Sequence, residues 1–412
     1  MAVVSVSIDS IAAGGDGVGR SDGLVVFVPR TAPGDVVTAQ IASKARFAHG
    51  ALRSIVSPSQ ARIEPACEHY TRDRCGGCQL QHMTCESQLL AKQMIIRDSL
   101  QRIGKRDVDP PPIERSPKEW RYRTKLTLAM QRRGARWIAG LHAYDDPARI
   151  FPLSDCPITD RSVVAAWREV MEADAWFPDA KELRGSVRIT SGGPTFVMIG
   201  GQSWGARDQF AAAVRSISAV WWEPADEKPR VLLYDKRPDH APSASFAQVN
   251  AEVAEMLRAY VLDRARSYEP RSAIDAYSGA GHTAIALSEE GVAVTAVELD
   301  GDASRWSASK LASPSRAIRA KVEDALPGLL PADLVILNPP RAGVDSRVTA
   351  TLETEAEHVR GVLYVSCNPA TLARDLSRLP SYRIESLHAF DMFPQTAHVE
   401  TVCELRPARA MA

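Results

Sequence analysis

Residues 273–300 read AIDAYSGAGHTAIALSEEGVAVTAVELD and decide the fold of the C-terminal part of this 412-residue chain. A short apolar run ends in a glycine turn, a helix-like segment follows, and a second apolar run ends in an acidic residue. Further apolar runs of the same kind come later, at ADLVILNPP, GVLYVSCNP and HVETVCEL. Strands that alternate with helices build a parallel sheet with both faces covered. The sequence therefore predicts a Rossmann-like, doubly wound α/β domain over residues 246–412.

The turn after the first strand indicates a ligand site. Gly279 and Gly281 allow the backbone to bend tightly and to approach a bound molecule. Glu298 stands nineteen residues after Gly279, at the end of the second strand, where a carboxylate can accept both hydroxyls of a ribose. NAD and S-adenosylmethionine both suit such a site. The short G-x-G, which lacks a third glycine at the helix packing position, favours S-adenosylmethionine.

A second motif, Asn-Pro-Pro-Arg at residues 338–341, follows another apolar strand. Amino methyltransferases that act on adenine use a similar Asn-Pro-Pro followed by an aromatic residue, whose ring stacks on the target base. Arg341 occupies that position here. Methylation of an amino group is therefore the weaker enzymatic interpretation.

Cys367 follows the apolar stretch GVLYV and precedes a helix-like segment. It thus lies near the carboxyl end of a predicted strand, at the edge where open α/β sheets bind ligands. On position alone, a free cysteine is most often a small buried hydrophobe. A nucleophile is the alternative, and the rest of the chain has to decide between the two.

The chain before residue 246 divides into two further predicted domains. Residues 1–60 alternate apolar and polar residues between glycine-rich turns, which is typical of a small antiparallel β-barrel such as the oligonucleotide-binding fold. Residues 61–245 contain a cysteine cluster, a helical part at about 81–112, and then mixed strands and turns with a helix near 161–173. We expect a central α+β domain, with the helical part of 81–112 packed on the C-terminal domain.

Charge is balanced over the whole chain but not locally. The formal net charge is zero, whereas residues 114–136 hold eight Arg or Lys and only two Glu. Aromatic residues lie among these cations, a combination that suits phosphate contact together with base stacking. Trp120, Arg121, Arg123 and Lys125 are the candidate RNA-binding residues of this segment. The alternative is a solvated strand or hairpin face.

The cysteines suggest a metal site. All seven belong to a chain without a secretory signal or a long apolar window, so we expect a cytoplasmic protein with no membrane contact. An odd number of cysteines in that compartment argues against a disulfide framework. Cys67, Cys75, Cys78 and Cys156 form a set of four thiols, of the kind that holds zinc or an iron–sulfur cluster. The spacing does not separate these two.

Four stretches resemble the RNA uracil-C5 methyltransferases, and the resemblance covers nearly the whole chain. They are FAQVN (246–250), DAYSGAGHTAIAL (275–287), NPPRAG (338–343) with SCNPATLARD (366–375), and FPQTAHVE (393–400). The chain as a whole resembles the family branch that acts on 23S ribosomal RNA. The first 60 residues resemble the TRAM-type RNA-binding barrel of that branch.

The resemblance implies roles for particular residues. Cys367 falls on the family's nucleophile, which adds to C6 of uracil, and Glu400 falls on the base that removes the C5 proton. Phe246 falls near the flipped uridine. The S-adenosylmethionine pocket is expected to involve Gln248, Tyr277, Gly279, His282, Glu298, Asp324 and Asn338. The ribosomal-RNA branch carries a [4Fe–4S] cluster, which implies that Cys67, Cys75, Cys78 and Cys156 are its ligands, with Cys85 as the substitute for Cys67.

Two departures from the family pattern lie near the expected pocket. Asn338 stands where the family has Asp, and His282 stands where Asn is usual. Four alternatives stay open beside ribosomal-RNA methylation: transfer-RNA uridine-C5 methylation, amino methylation through Asn338, a non-catalytic iron–sulfur protein that binds RNA, and a redox protein that uses the C-x-x-C of Cys75 and Cys78. We expect a monomer.

Overall fold

The computed structural model describes residues 2–44, 46–225, 229–238, 242 and 248–408. It begins with a closed barrel whose strands pair in the order β1-β2-β3-β5-β4. These strands are β1 (Ala2–Ile11), β2 (Gly17–Ser21), β3 (Leu24–Val28), β4 (Val36–Lys44) and β5 (Phe47–Ser57). The alternation predicted for β1 is real, because Val6 and Ile8 are buried while Ser5 and Ser7 are exposed. The predicted N-terminal barrel is confirmed.

Part of the glycine-rich segment that looked like a turn in the sequence is strand β2. A Cβ atom on Gly19 would lie 2.0 Å from the carbonyl oxygen of Ser7, and one on Gly17 would lie 2.0 Å from Oγ1 of Thr31. Glycine is thus required here by the close approach of neighbouring backbone and side chains.

Two helices and a short strand connect the barrel to the rest: α1 (Glu68–Thr71), α2 (Cys85–Arg102) and β6 (Ile113–Glu114). Thr84 caps α2, since its side chain accepts a hydrogen bond from the Ser87 N–H. Ile96 and Leu100 of this helix are fully buried in an apolar cluster of the C-terminal domain. The helix therefore packs on that domain.

The central domain contains a seven-stranded sheet with the order β13-β12-β11-β10-β7-β8-β9. Helix α3 covers one face and buries Val163, Trp167 and Val170 against it. The elements are β7 (Lys125–Arg133), β8 (Arg136–His142), β9 (Ile150–Pro152), α3 (Arg161–Glu172), β10 (Glu182–Thr190), β11 (Gly193–Ile199), α4 (Arg207–Ala213), β12 (Ala219–Glu223) and β13 (Val231–Asp235).

The C-terminal domain is the predicted Rossmann-like α/β domain. Its helices and strands are α5 (Ala251–Arg266), β14 (Ser272–Ala276), α6 (His282–Glu289), β15 (Ala293–Glu298), α7 (Gly301–Lys310), β16 (Arg316–Arg319), α8 (Val322–Ala325), β17 (Leu334–Leu337), α9 (Ser346–Thr354), β18 (Gly361–Ser366), α10 (Pro369–Leu376), β19 (Tyr382–Phe390) and β20 (Glu400–Pro407). The sheet order is β16-β15-β14-β17-β18-β20-β19-β6.

Both faces of this sheet are covered. Val335 and Leu337 of β17 lie in one apolar cluster, whereas Leu334 and Ile336 lie in another on the opposite face. This explains why β17 is apolar without alternation. Within the described part of the chain, no helix is long and apolar enough to cross a membrane.

Candidate active site

The expected functional residues meet at one edge of the C-terminal sheet. Strands β14, β15, β17 and β18 are parallel, so their carboxyl ends share this edge, and the antiparallel strand β20 begins there. The connections run in opposite directions on either side of β14 and β17. Such a reversal creates the crevice in which open α/β sheets bind ligands.

The glycine turn lies at this reversal. Tyr277, Gly279 and Gly281 all have positive φ angles, of 60°, 55° and 75°. A Cβ atom on Gly281 would lie 2.2 Å from Oγ of Ser307, so the turn also requires a small residue at this position for packing. Position 281 therefore requires glycine, because any side chain there would have an unfavourable φ angle and would overlap Ser307.

The carboxylate of Glu298 faces the turn. It accepts hydrogen bonds from the N–H groups of Gly279 (2.8 Å) and Asp300 (2.7 Å). Below it lies Asp275, a buried residue whose role was not recognised from the sequence although it belongs to the quoted motif. Burial and the nearby Glu298 raise the pKa of Asp275 to about 7, opposed by a hydrogen bond from the Ala284 N–H. Asp275 thus joins β14 to the first turn of α6.

The other residues expected around the cofactor differ in their exposure and in their hydrogen-bond partners. The N–H of Asn338 donates to the carbonyl oxygen of Ala276 (3.2 Å), which fixes Asn338 beside the glycine turn. His282 is exposed at the start of α6. Asp324 is 56% exposed in its side chain and pairs with Arg347 at 2.7 Å. Its neighbour Glu323, rather than Asp324, is among the carboxylates that act electrostatically on Tyr277.

Cys367 directly follows strand β18, and Glu400 is the first residue of the neighbouring strand β20. Ser366 of β18 pairs with Thr401 of β20, and the next residues in the same antiparallel register are Cys367 and Glu400. Cys367 is half-buried, whereas Glu400 is only 2% exposed. One carboxylate oxygen of Glu400 accepts a hydrogen bond from Nε2 of Gln248 (3.5 Å). The other has no hydrogen-bond partner among the residues described.

Burial changes the protonation of both groups. It raises the pKa of Glu400 to about 7, although the Gln248 hydrogen bond and the charge of Arg341 act in the opposite direction. Burial also raises the pKa of the Cys367 thiol, and the negative charge of Glu400 raises it further. The guanidinium of Arg341 opposes this by charge and by hydrogen bonding. A carboxyl that titrates near neutral pH is suited to acid–base catalysis.

Arg341 is a site residue whose role the sequence interpretation missed. It follows the rigid Pro339–Pro340 pair, and its carbonyl oxygen accepts a hydrogen bond from Nδ2 of Asn368 (3.4 Å). Because Asn368 directly follows Cys367, this bond connects the two loops. Two signals were available in the sequence: Arg341 belongs to the resembling stretch NPPRAG, and it replaces the aromatic residue of another enzyme class.

The loop that leads to Glu400, residues 393–399, is held by the central region. Gln88 and Gln395 are both buried; Gln88 Nε2 donates to Gln395 Oε1 (3.0 Å), and Gln88 Oε1 accepts from the Gln395 N–H (2.9 Å). The N–H of Gln79 donates to the Gln395 carbonyl (3.2 Å), and the hydroxyl of Tyr122 donates to the Pro394 carbonyl (3.0 Å). The position of this loop therefore depends on residues remote in sequence.

The four expected metal ligands share one environment. Cys67 and Cys78 are buried with Tyr122, and Cys156 packs against the same cluster. Burial raises the pKa of Cys67, Cys75 and Cys78, and the nearby Cys156 contributes to each shift. Cys85 is placed elsewhere, beside Glu119 and Arg115. In the described part of the chain, no group of three or more His, Cys, Asp or Glu is arranged to hold a metal ion.

The basic segment is only partly available for RNA. Both terminal nitrogens of Arg121 bind the carboxylate of Asp155, at 2.8 and 2.6 Å, and one also contacts the carbonyl of Cys156. Arg121 thus supports the cysteine loop. Trp120 packs on the same cluster. Arg123 and Lys125 are half-buried at the start of β7. Phe246 lies outside the described residues.

The fold is a doubly wound α/β domain with a ligand crevice at the carboxyl ends of its strands, and comparisons with known proteins identify its class. Residues 328–407 match the family model described as tRNA (uracil-5-)-methyltransferase. A protein of Gloeobacter violaceus named an uncharacterized RNA methyltransferase is 33% identical, over 98% of this chain and 96% of its own. A protein of the same description from Protochlamydia amoebophila is 30% identical, over 98% and 97%.

One solved structure covers nearly the whole fold. It is the crystal structure of Pyrococcus abyssi tRNA (uracil-54, C5)-methyltransferase in complex with S-adenosyl-L-homocysteine, with a TM-score of 0.69 and 23% identity over 97% of this chain and 100% of that chain. The present chain belongs to the RNA uracil-C5 methyltransferase family and is an RNA methyltransferase. The resemblance of the sequence to this family is confirmed.

Proposed function

We propose that this enzyme methylates C5 of a uridine in RNA, with S-adenosylmethionine as the methyl donor and a covalent bond between Cys367 and C6 of the uracil. The observation that carries the proposal is the opposed placement of Cys367 and Glu400 at the edge where the glycine turn also lies. S-Adenosylmethionine, when bound, supplies an electrophilic methyl group on a sulfonium sulfur.

Cys367 acts as the nucleophile in this proposal. After the thiol loses its proton, Sγ forms a bond to C6, and the electron pair of the C5–C6 double bond moves toward O4. The resulting enolate makes C5 nucleophilic, so C5 receives the methyl group. Arg341 stabilises the thiolate, because its positive charge lowers the pKa of Cys367.

Glu400 completes the reaction as the base. Its carboxylate removes the proton from C5, the C5–H electron pair restores the C5–C6 double bond, and the thiolate leaves. The unpartnered oxygen of Glu400 is the one available for this proton. Gln248 holds the other oxygen and so orients the carboxylate.

The glycine turn and Glu298 hold the cofactor in this proposal. The Glu298 carboxylate accepts ribose hydroxyls, and Tyr277, His282, Asp324 and Asn338 are assigned to the same cofactor site. The structure fits such a ligand, because the N–H groups of Gly279 and Asp300 already orient the carboxylate. Asn338 contributes an amide where a carboxylate is usual, so it can donate as well as accept hydrogen bonds.

Large-subunit ribosomal RNA is the proposed substrate, and transfer RNA is the second candidate. The barrel and the four cysteines favour the ribosomal-RNA branch. The barrel alone does not separate the two, since a structure titled as a transfer-RNA enzyme covers 97% of this chain. Methylation of both RNAs therefore has to be compared directly.

A [4Fe–4S] cluster on Cys67, Cys75, Cys78 and Cys156 is part of the proposal. Four thiols in one pocket, with the Gly77 N–H directed at Cys75 Sγ (3.4 Å), are a donor set that suits a cubane. The cluster would join the loop of residues 67–78 to the loop at Cys156.

The proposal is tested by methyl transfer from labelled S-adenosylmethionine to unmodified 23S ribosomal RNA and to transfer RNA. We expect 5-methyluridine in the ribosomal RNA, no product with Cys367→Ala, and normal product with the control Cys85→Ala. Glu400→Gln should trap a protein–RNA adduct that survives denaturation and that also needs Cys367. Methyladenosine, or 5-methyluridine formed without Cys367, would overturn the mechanism.

Metal content tests the cluster separately. We expect iron and sulfide in protein purified without oxygen, a loss of both in Cys156→Ser, and no loss in Cys85→Ser. Bound zinc in place of iron would contradict the assignment.

A further inference from the structure

A cavity of about 170 Å³ opens on the central sheet, on the face opposite to helix α3. Its polar lining comes from four neighbouring strands and the residue before β13: Lys125, Ser186, Arg188, Thr195, Glu223 and Arg230. Lys125, Ser186 and Thr195 lie on this face because they alternate with Leu126, Val187 and Phe196 of the apolar face.

The cavity is strongly positive. Arg188 is only 7% exposed, and Lys125 is half-buried beside it. Burial lowers the pKa of Lys125 to about 8, and Arg188, Arg123 and Arg230 lower it further. Among the lining residues that the structure describes, Glu223 is the carboxylate, and it pairs with Arg230 at 3.4 Å. Burying Lys125 near these arginines costs free energy, and an anion bound beside Lys125 would offset part of that cost.

Hydrogen bonds connect the strand that lines the cavity to the catalytic edge. The residue before Lys125, Thr124, donates hydrogen bonds from its N–H (2.8 Å) and its hydroxyl (3.0 Å) to the carbonyl oxygen of Val249. Val249 directly follows Gln248, which binds Glu400. Arg123 acts electrostatically on both Lys125 and His398, so positive charge continues from the cavity to the loop before Glu400.

From this arrangement we infer that the cavity binds a backbone phosphate of the substrate RNA, at a nucleotide near the target uridine. The inference rests on the proposed function, because it requires an RNA substrate. A phosphate has the size and charge for the cavity, Lys125 and Arg188 supply charged donors, and Ser186 and Thr195 supply hydroxyl donors. The site positions RNA without reading its sequence.

The test measures the affinity of the protein for transcribed 23S ribosomal RNA and for a uridine oligoribonucleotide at several salt concentrations. With Lys125→Gln we expect roughly tenfold weaker binding of both RNAs. The slope of log affinity against log salt should fall by about 0.7, the value for one phosphate contact on a single strand. Arg230→Gln should also weaken RNA binding and lower the salt slope. It replaces Lys125→Gln in the test if that variant does not fold.

The matched control is Arg132→Gln, on the same strand but outside the cavity and paired with Asp179 at 3.1 Å. We expect wild-type affinity and slope from it. Unchanged binding in both cavity variants, with methylation by the wild type intact, would overturn the site but leave the proposed function. Absence of RNA binding and methylation in the wild type would overturn both. A different outcome is that inorganic phosphate raises the unfolding temperature of the wild type but not of Lys125→Gln, while the affinity for RNA is the same in both proteins. The cavity would then be a site for free phosphate, and the inference would be overturned.

Discussion

Cys367 directly follows β18 and Glu400 is the first residue of the neighbouring antiparallel strand β20, so both adjoin the last pair of the two strands, Ser366–Thr401. They are separated by 33 residues in the chain, yet backbone hydrogen bonds set the distance between them. Phe390 pairs with Glu400 on its other side, so the base begins a strand that is fixed at both edges. A one-residue slip of β20 would turn Glu400 to the opposite face of the sheet.

Replacing Arg341 should make the Cys367 thiol less reactive. In Arg341→Gln the pKa of Cys367 rises, because the positive charge that stabilises the thiolate is removed. We expect alkylation of Cys367 by iodoacetamide at pH 8 to slow roughly threefold to tenfold, measured by mass spectrometry of the modified peptide. Arg360→Gln, an exposed residue of the opposite sheet edge, is the control and should alkylate like the wild type. Equal rates in all three proteins would contradict the role of Arg341.

Glu400→Gln should stabilise the folded protein at alkaline pH. The pKa of Glu400 is raised to about 7, so the buried carboxyl favours folding when protonated. This contribution is complete below the ordinary pKa of the group and is lost as the pH rises through about 7. At pH 8 we expect Glu400→Gln to be more stable by about 1–3 kcal/mol in urea unfolding, and near pH 4 the difference should vanish. Lower stability of the variant at pH 8 would show that the carboxylate is better solvated than its burial indicates.

Gly281→Ala should cost more stability than Gly279→Ala. Both residues have positive φ angles, but only at Gly281 does a Cβ atom meet a neighbour, Ser307 Oγ at 2.2 Å. We expect a loss of about 1 kcal/mol for Gly279→Ala and about 2–4 kcal/mol for Gly281→Ala. Adding Ser307→Gly to Gly281→Ala should recover the difference, measured by thermal unfolding. If both single variants lose the same stability, the contact with Ser307 is not limiting.

Tyr122→Phe should lower the turnover rate without removing the proposed iron–sulfur cluster. The variant keeps the ring that packs on Cys67 and Cys78 but loses the hydrogen bond to the Pro394 carbonyl. The expected cost is about 1–2 kcal/mol, together with a misplaced loop before Glu400. Tyr382→Phe is the matched control, because its buried hydroxyl donates to the Leu352 carbonyl at 3.0 Å, away from the site. Both variants should lose similar stability, but only Tyr122→Phe should lose turnover at unchanged iron content.

The sequence predicted the parts of the fold that depend on local pattern. Apolar runs followed by glycine or proline located β14, β15, β17 and β18, and alternation located β1 and β3. Strand β2 was not predicted, because its glycines look like turn residues in the sequence and are required only by packing in the folded barrel. Strand β19 escaped because its polar residues, such as Glu385 and His388, weaken the apolar signal.

The site was predictable to the extent that its residues stand in motifs. Cys367, Glu400 and Glu298 belong to such motifs. The part played by Arg341 depends on its distance from Cys367, and that of Arg121 on its pairing with Asp155; both are three-dimensional relations. A basic residue in a basic segment looks available for RNA until its acidic partner is located.

Helix α2 and strand β6 come before the central sheet in the chain but belong to the C-terminal domain. Helix α2 packs on its core, and β6 adds the outermost strand of its sheet, where Ile113 pairs with Ala389. The catalytic unit is therefore discontinuous in sequence. A fragment that begins at residue 248 would lack Ile96 and Leu100 from its core, leave β19 as an open edge, and lose the Gln88 partner of Gln395. Exchange of the C-terminal domain between relatives would thus have to include residues 85–114 to give a folded, active hybrid.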